Sequence, residues 1–403
     1  MFALVKRQRS ELLLFITAIA LLGFGDSVIN ATLNNYLDET FFITSLERSL
    51  LEFPRELPGF LVVFISAALF FLRSRRLAVF ACLVSGAGFL LIAFFAPTLH
   101  ILFVWIFMYS VGQHLLMPLV SSITMEMANK GQDGRRLGQV HSIRNMAAVT
   151  GSFVVFAGFK YLGLNFQVSF IIASFVFVVA AFFFYRLSPG DVQPPRLHLK
   201  LHKQYRLYYW LGILFGTRKQ IFLTFAPWVL VTVYNKPTTV IATLFFIGGI
   251  AGIVFQPLLG RAIDQLGEKF VFMAEAVLLV MVCLGYGFAK DLLPYPAAFV
   301  VVSVCFVGDQ LLMSVNMARA TYLKKIAASP EHITPTLTMS LTIDHIFSIS
   351  VALVGGMIWS RFGYQFVFLF GGLIACLNLI SALFVVVPDP HKASPPHPEA
   401  GTA

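Results

Sequence analysis

Apolar residues run along this chain in blocks of twenty or more, and charged residues fall at intervals between the blocks. A helix rises 1.5 Å per residue, so about 20 apolar residues cross a hydrocarbon core of ~30 Å. The blocks are continuous, as in FQVSFIIASFVFVVAAFFF at 166–184, whereas strands of a membrane barrel would alternate apolar and polar positions over about ten residues. The pattern predicts an all-α membrane protein with twelve transmembrane helices, at 11–35, 43–71, 77–97, 99–125, 137–160, 165–187, 207–234, 238–259, 269–289, 295–322, 336–360 and 364–387. No polar stretch between them is long enough for a sizeable soluble domain.

Lys and Arg test this count independently. With the N-terminus placed in the cytoplasm, segments predicted to lie inside hold twenty of them, while segments outside hold only Lys160, Lys236, Lys290 and Arg361. Such asymmetry orients membrane helices. It also accounts for the net charge of +10, so nucleic acid is not needed as a partner; the lipid bilayer is. The expected location is a cytoplasmic membrane, bacterial and inner, with both termini inside. The basic N-terminus followed by an apolar run resembles a signal peptide, but the run passes Gly25 without a small-residue cleavage site, so a retained first helix is expected. Cys82, Cys283, Cys305 and Cys376 all lie inside apolar runs, without ligand spacing, so disulfides, metal centres and cofactors are not expected.

The longest polar break, 188–206, divides the chain into an N-terminal bundle at 1–187 and a C-terminal bundle at 207–387, each of six helices. The Pro-rich end from 388 to 403 reads as a disordered cytoplasmic tail. The halves repeat. Phe24-Gly25 matches Phe215-Gly216 at an offset of 191, PGFLVVF (58–64) matches AGIVFQP (251–257) at 193, and VGQHLLM (111–117) matches VGDQLLM (307–313) at 196. SIRN (142–145) matches TIDH (342–345) at 200, and at that offset Gly163 meets Gly363, Phe166 meets Phe366 and Phe170 meets Phe370. Offsets that grow smoothly along the chain, between halves of six spans, indicate a parallel, pseudo-symmetric 6+6 repeat.

With these features the chain resembles the major facilitator superfamily over essentially its whole length. The sharpest local match is GRAIDQLGEK (260–269) between spans eight and nine, which is similar to the family's Gly-x-x-x-Asp-x-x-Gly-x-Lys/Arg signature. The resemblance assigns Gly260, Asp264, Gly267 and Lys269 to gating on the cytoplasmic side. The first half departs from the signature, with Ala67 and Phe71 where Gly and Asp are expected, so the gate is expected to be asymmetric. Span five, HSIRNMAAVTGSF, lacks the Gly/Pro-rich signature of drug-proton antiporters. The family fold also implies that helices three, six, nine and twelve are outer supports around a cavity lined by the rest.

Charges inside the spans follow that division. One costs ~2.5–3.5 kcal/mol at the bilayer centre, so it normally faces a partner or a wet cavity. Spans three, six and twelve carry none in their interiors, and span nine carries only Glu275 near its cytoplasmic end. Asp26, Asn30 and Asn34 form one helical stripe on span one. Span two carries Glu52, Arg55 and Glu56, with Pro54 and Pro58 to kink it. Gln113 and His114 lie on span four, His141, Arg144 and Asn145 on span five, Arg218 and Lys219 on span seven, Asp309 and Asn316 on span ten, and Asp344, His345 and Ser348 on span eleven. By rise per residue, Arg55, His114 and Arg218 fall near the midplane and Arg144 and Asp344 roughly 10–12 Å from the inner surface. The repeat thus sets a cation, Arg144, against an anion, Asp344.

The substrate-binding candidates are therefore Arg144, Arg218, Lys219, Asp26, Asn30, Gln113, His114, Asn145, Asp309, Asn316, Asp344 and His345. Proton-coupling candidates are Asp26, Glu52, Glu56 and Asp309, and Arg55 joins the gating set. Structural readings stand beside these: Glu52 and Arg55 neutralise each other at i, i+3, Asp344 bridges to Arg55, His114 packs, Lys219 snorkels, and Glu275 belongs to the gate or the periphery. The leading functional expectation is a monomeric secondary transporter, not an enzyme, moving a small anionic or zwitterionic organic solute by alternating access with proton coupling. The competing readings are a lipophile, drug or lipid exporter of the same fold, and a non-transporting sensor or polytopic membrane enzyme. Against an enzyme stand the short loops and the lack of a nucleophile motif or of a Walker-type phosphate loop.

Overall fold

The computed structural model describes residues 2–69, 71–128, 133–188, 201–329 and 332–387. Of the expected linker, 189–200 lies outside the described residues, as does the whole expected tail at 388–403. Thirteen α-helices follow one another with no strand among the described residues: α1 (Phe2–Phe41), α2 (Ser45–Leu50), α3 (Glu52–Ala68), α4 (Ser74–Phe95), α5 (Leu99–Glu126), α6 (Asp133–Tyr161), α7 (Phe166–Arg186), α8 (Arg206–Thr232), α9 (Thr238–Leu292), α10 (Tyr295–Leu312), α11 (Asn316–Ile326), α12 (Ile333–Phe362) and α13 (Tyr364–Leu383). The protein is an integral, multi-pass membrane protein.

Among the described residues, nine helices are long and apolar enough to cross a membrane, against twelve crossings predicted, and the difference has local causes. The 55-residue α9 contains two predicted spans and breaks at Gly267, whose φ of 81° and ψ of 162° are non-helical. The second predicted span is divided into α2 and the 17-residue α3. That division falls where Pro54, lacking an N–H, cannot donate to the Leu50 carbonyl. α8 is long enough, but Arg218, Lys219 and Gln220 in its middle lower its hydropathy.

Capping fixes several helix starts. The Thr44 hydroxyl accepts from the Glu47 amide while the Glu47 carboxylate accepts from the Thr44 amide at 2.8 Å, a reciprocal box that starts α2. Asn165 starts α7 by accepting from the Val168 amide at 2.9 Å. The helices α1–α7 pack about an aromatic core that includes Phe15, Phe89, Phe170, Phe177 and Phe184. α8–α13 pack about a second, in which Tyr286 stacks on Phe368 at 4.6 Å with Phe222 edge-on. Large side chains such as Phe175, Phe182 and Val300 remain exposed on the periphery, as lipid-facing surface requires. The two sets meet at the end where α1 finishes. There Asn35 donates to the Lys236 carbonyl at 2.9 Å, Ser49 on α2 abuts Gly356 on α12, and Trp228 joins the first core.

Backbone geometry carries traces of the repeat. Among the described residues, the two non-glycine positions with positive φ, Phe42 and Asn235, are 193 apart. Gly163 and Gly363, 200 apart, both have positive φ at helix junctions.

Gly267 and Gly260 separate the backbone demands of the 260–269 segment. At Gly267 the φ/ψ pair is essentially restricted to glycine, so Gly267→Ala is expected to cost about 1–3 kcal/mol. Gly260 is helical and a Cβ there meets nothing within 4 Å, so Gly260→Ala should leave stability unchanged or slightly raised. Thermal unfolding of the two purified variants in detergent checks the contrast.

Candidate functional site

A cavity of about 420 Å³ lies between the two sets. Its wall from the first set carries Asp26 and Asn30 on α1, Arg55 on α3, Tyr109 and Gln113 on α5, and Arg144 and Asn145 on α6. Its wall from the second set carries Gln256 on α9, Gln310 on α10 and Ser314 in the short 3-10 turn that follows. Of the predicted substrate-binding residues, the cavity gathers Asp26, Asn30, Gln113, Arg144 and Asn145. Arg218, Lys219, His114, Asp309, Asn316, Asp344 and His345 are not in its lining.

Asp26 is the hub of the first wall. Its Oδ2 accepts from Arg144 Nη2 at 2.6 Å, and its Oδ1 accepts from Gln113 Nε2 at 2.8 Å and from the Tyr109 hydroxyl at 3.4 Å. The Arg144 side chain remains 35% exposed to the cavity. A guanidinium has five N–H donors, and Asp26 takes one of them, so the rest are free to meet a ligand. The second set holds a counterpart. Lys219 Nζ on α8 donates to Asp344 Oδ2 on α12 at 2.6 Å. The charge sense is reversed, and the pair lies outside the cavity lining. In each pair a glycine on the first helix, Gly23 or Gly216, leaves the space into which Arg144 or Asp344 presses.

The predicted bridge from Asp344 to Arg55 is not formed, because Lys219 takes Asp344 and Glu52 takes Arg55. Glu52, with no exposure, accepts from Arg48 at 2.6 Å and Arg55 at 3.2 Å. Its other oxygen accepts from Gln220 on α8 at 2.9 Å. Asn34, from the stripe on α1, turns away from the cavity to accept from Arg48 Nε at 2.9 Å. A further buried group lies wholly in the second set, where Arg218 faces Asp309 at 3.3 Å and Glu275 at 3.8 Å, all three side chains at most 7% exposed. Asn316 is exposed at the start of α11. Glu56 on α3 meets His345 on α12 at 2.9 Å, with His114 beside them.

At the end of the molecule opposite the contact between the sets, Lys269 donates to the Leu383 carbonyl at 2.7 Å and Lys325 pairs with Glu268 at 2.8 Å. Asp264 is exposed and has no ion-pair partner among the described residues.

Sequence reasoning missed several contributors, Tyr109 of the cavity wall among them. Arg48 lies close to the predicted end of its span, where a cation reads as interfacial, although its i, i+4 spacing to Glu52 was a usable signal. Gln220, Gln256 and Gln310 are uncharged and break an apolar run only weakly.

Comparison with known proteins agrees with this architecture. The family model described as Major Facilitator Superfamily matches residues 15–330. Among solved structures, the chain superimposes on a mutant of the nucleoside transporter NupG with a TM-score of 0.74 at 16% identity, covering 93% of this chain and 99% of that one. A D-xylose-proton symporter gives 0.69 at 17% identity, covering 93% and 96%. A POT family transporter in complex with 5-aminolevulinic acid gives 0.71 at 11% identity, covering 92% and 94%. No curated protein sequence matches the chain.

Removing one member of a buried ion pair leaves an uncompensated charge, at a cost of about 3–5 kcal/mol. Glu52→Gln, which strands Arg48 at 1% exposure, is expected to lose that much stability. Asp264→Asn should leave stability unchanged. Denaturation of both variants beside the parent protein reads the difference.

Proposed function

Because the chain belongs to the major facilitator superfamily, we propose that it is a proton-coupled secondary transporter that carries a small solute bearing an anionic group, zwitterions included, by alternating access. The observation that carries this reading is Arg144: a cation in the cavity wall, 35% exposed, held by a single carboxylate. An incoming carboxylate or phosphate can take the guanidinium as a two-pronged ligand. Asn30, Gln113, Asn145, Gln256 and Gln310 supply hydrogen bonds to the rest of the solute. The cavity, about 420 Å³, suits a small solute better than a large amphiphile, which disfavours lipid export.

Coupling follows from the same pair. A ligand that draws Arg144 away leaves Asp26 without its cation, held only by the neutral donors Gln113 and Tyr109. Burying an unpaired charge is costly, and taking up a proton removes that cost. Solute and proton therefore load together. Glu52, Asp309 and Arg218 serve structure in this reading, because each is held by charged partners beside it and none lines the cavity. The D-xylose-proton symporter and the 5-aminolevulinic acid complex among the similar folds lend support to small solutes and proton coupling.

The same proposal completes the topology. α9 crosses twice about Gly267, α2 with α3 crosses once, and α8 crosses once, giving twelve crossings in two six-helix halves, 1–187 and 207–387, joined through 188–206. With both termini in the cytoplasm of a bacterial cell, the sealed end is external and the cavity faces inward. The unit is a monomer.

Uptake into proteoliposomes with an imposed pH gradient tests the reading. With a panel of small carboxylates, phosphates and neutral polyols, the parent protein should accumulate an anionic or zwitterionic member. Arg144→Gln should abolish that uptake. Asp26→Asn should retain solute exchange while losing accumulation driven by the gradient. Uptake indifferent to collapse of the gradient removes the coupling, and parental uptake by Arg144→Gln removes the anion site.

A further inference from the structure

Three residues that the transport reading leaves unused converge between the two sets. Glu56 on α3, His114 on α5 and His345 on α12 each offer a ligand atom, and these atoms lie within 4.8 Å of one another. Glu56 Oε2 and His345 Nδ1 are 2.9 Å apart. On a tetrahedral Zn²⁺ with bonds of ~2.0 Å, neighbouring ligand atoms sit roughly 3.3 Å apart. Glu56 and His345 are thus already near ligating separation, and the remaining atom has no more than about 1.5 Å to close.

The surroundings prepare the imidazoles. His114 Nδ1 lies 2.9 Å from the Ser110 carbonyl. A carbonyl only accepts, so Nδ1 carries the proton and Nε2 presents a lone pair, the arrangement seen when an outer partner orients a ligating histidine. Gly59 provides the room: a Cβ there would stand 2.6 Å from His345 Nδ1 and 2.7 Å from His114 Cδ2. The cations near Glu56, Arg55 and Lys219, are already engaged by Glu52 and Asp344.

We propose that Glu56, His114 and His345 form a binding site for a divalent transition-metal ion of the Zn²⁺, Co²⁺ or Ni²⁺ class, which clamps α3 and α5 to α12. Two imidazoles and one carboxylate, with a fourth position for water, suit that class. Two nitrogen ligands exclude Ca²⁺ and Mg²⁺, which take oxygen. None of the three residues lines the cavity, so the ion is a clamp and not cargo. Because the ligands come from both sets, the bound ion stabilises the conformation in which α3 packs against α12 and opposes alternation.

The test uses the purified full-length protein and Co²⁺, whose visible absorption reports tetrahedral nitrogen and oxygen coordination. Stoichiometric binding is expected, weakened at least about tenfold in His345→Gln and in Glu56→Gln. It should be unchanged in His202→Ala/His332→Ala, which removes another close histidine pair with ring centroids 4.2 Å apart. X-ray absorption of the Zn²⁺-loaded parent protein, which needs no variant to fold, should show two imidazoles at ~2.0 Å. Zn²⁺ should also slow solute exchange by the parent protein and not by His345→Gln. Absence of stoichiometric binding, a zinc shell without two imidazoles, or binding lost only with His202 and His332 would overturn the site.

Discussion

A carboxylate with no exposure, deep in an apolar bundle, requires cations around it, and Glu52 has two. Arg48 and Arg55 share one of its oxygens while Gln220, from the other set of helices, occupies the other. Through Asn34 the network reaches back to α1. Four helices are thereby indexed to one buried atom group, and the indexing crosses between the sets. Glu56 and His345 repeat the device nearby. Separating the sets at this face costs those two cross-set contacts. Hydrogen bonds to charged groups contribute about 1.5–3 kcal/mol each, so the closure is firm but reversible, which suits a device that must alternate.

The same constraint explains what the sequence could display. An ionisable residue in an apolar run must have a partner or water, so Asp26, Arg55 and Arg144 are legible in the sequence as cavity or pairing residues. The repeat register placed Arg144 and Asp344 at equivalent depths, and each ends in an ion pair with the first helix of its own set. Partner choice was less legible. Asp344 pairs with Lys219 rather than Arg55, because Gly216 lets its carboxylate press against α8. Arg218 and Asp309 read as cavity residues by depth alone, but Glu275 and the packing of α9 against α10 enclose them.

Contacts between distant helices leave no local trace. Glu56, His114 and His345 are separated by 58 and 231 positions, so no ligand spacing exists to be read. Their convergence needs α12 to lie against α3, a property of how the sets dock. Gln256 and Gln310 escape notice for a different reason, since amides interrupt an apolar run without the cost that makes a charge conspicuous. Twelve predicted crossings become nine separately recognisable spans for local reasons too: a glycine break that leaves α9 continuous, a proline that divides the second span, and cations that make α8 look polar.

Reversed ion pairs in the two sets separate scaffold from function. Asp26–Arg144 and Lys219–Asp344 both close at 2.6 Å, and both use a glycine for close approach, so the framework is shared. Only the first borders the cavity, and its cation is the more exposed, 35% against 23%. The two cations differ in kind as well. Arg144 presents a planar fork able to keep a carboxylate on one edge while offering another, whereas Lys219 is a point charge already satisfied by Asp344. A repeat that doubled the framework thus set just one of the two pairs against the cavity, where Arg55, shared with Glu52, is a second cation of the same wall. In the proposed transport reading, that asymmetry anchors the solute's charge on the first set, with the amides of Gln256 and Gln310 left to register it against the second.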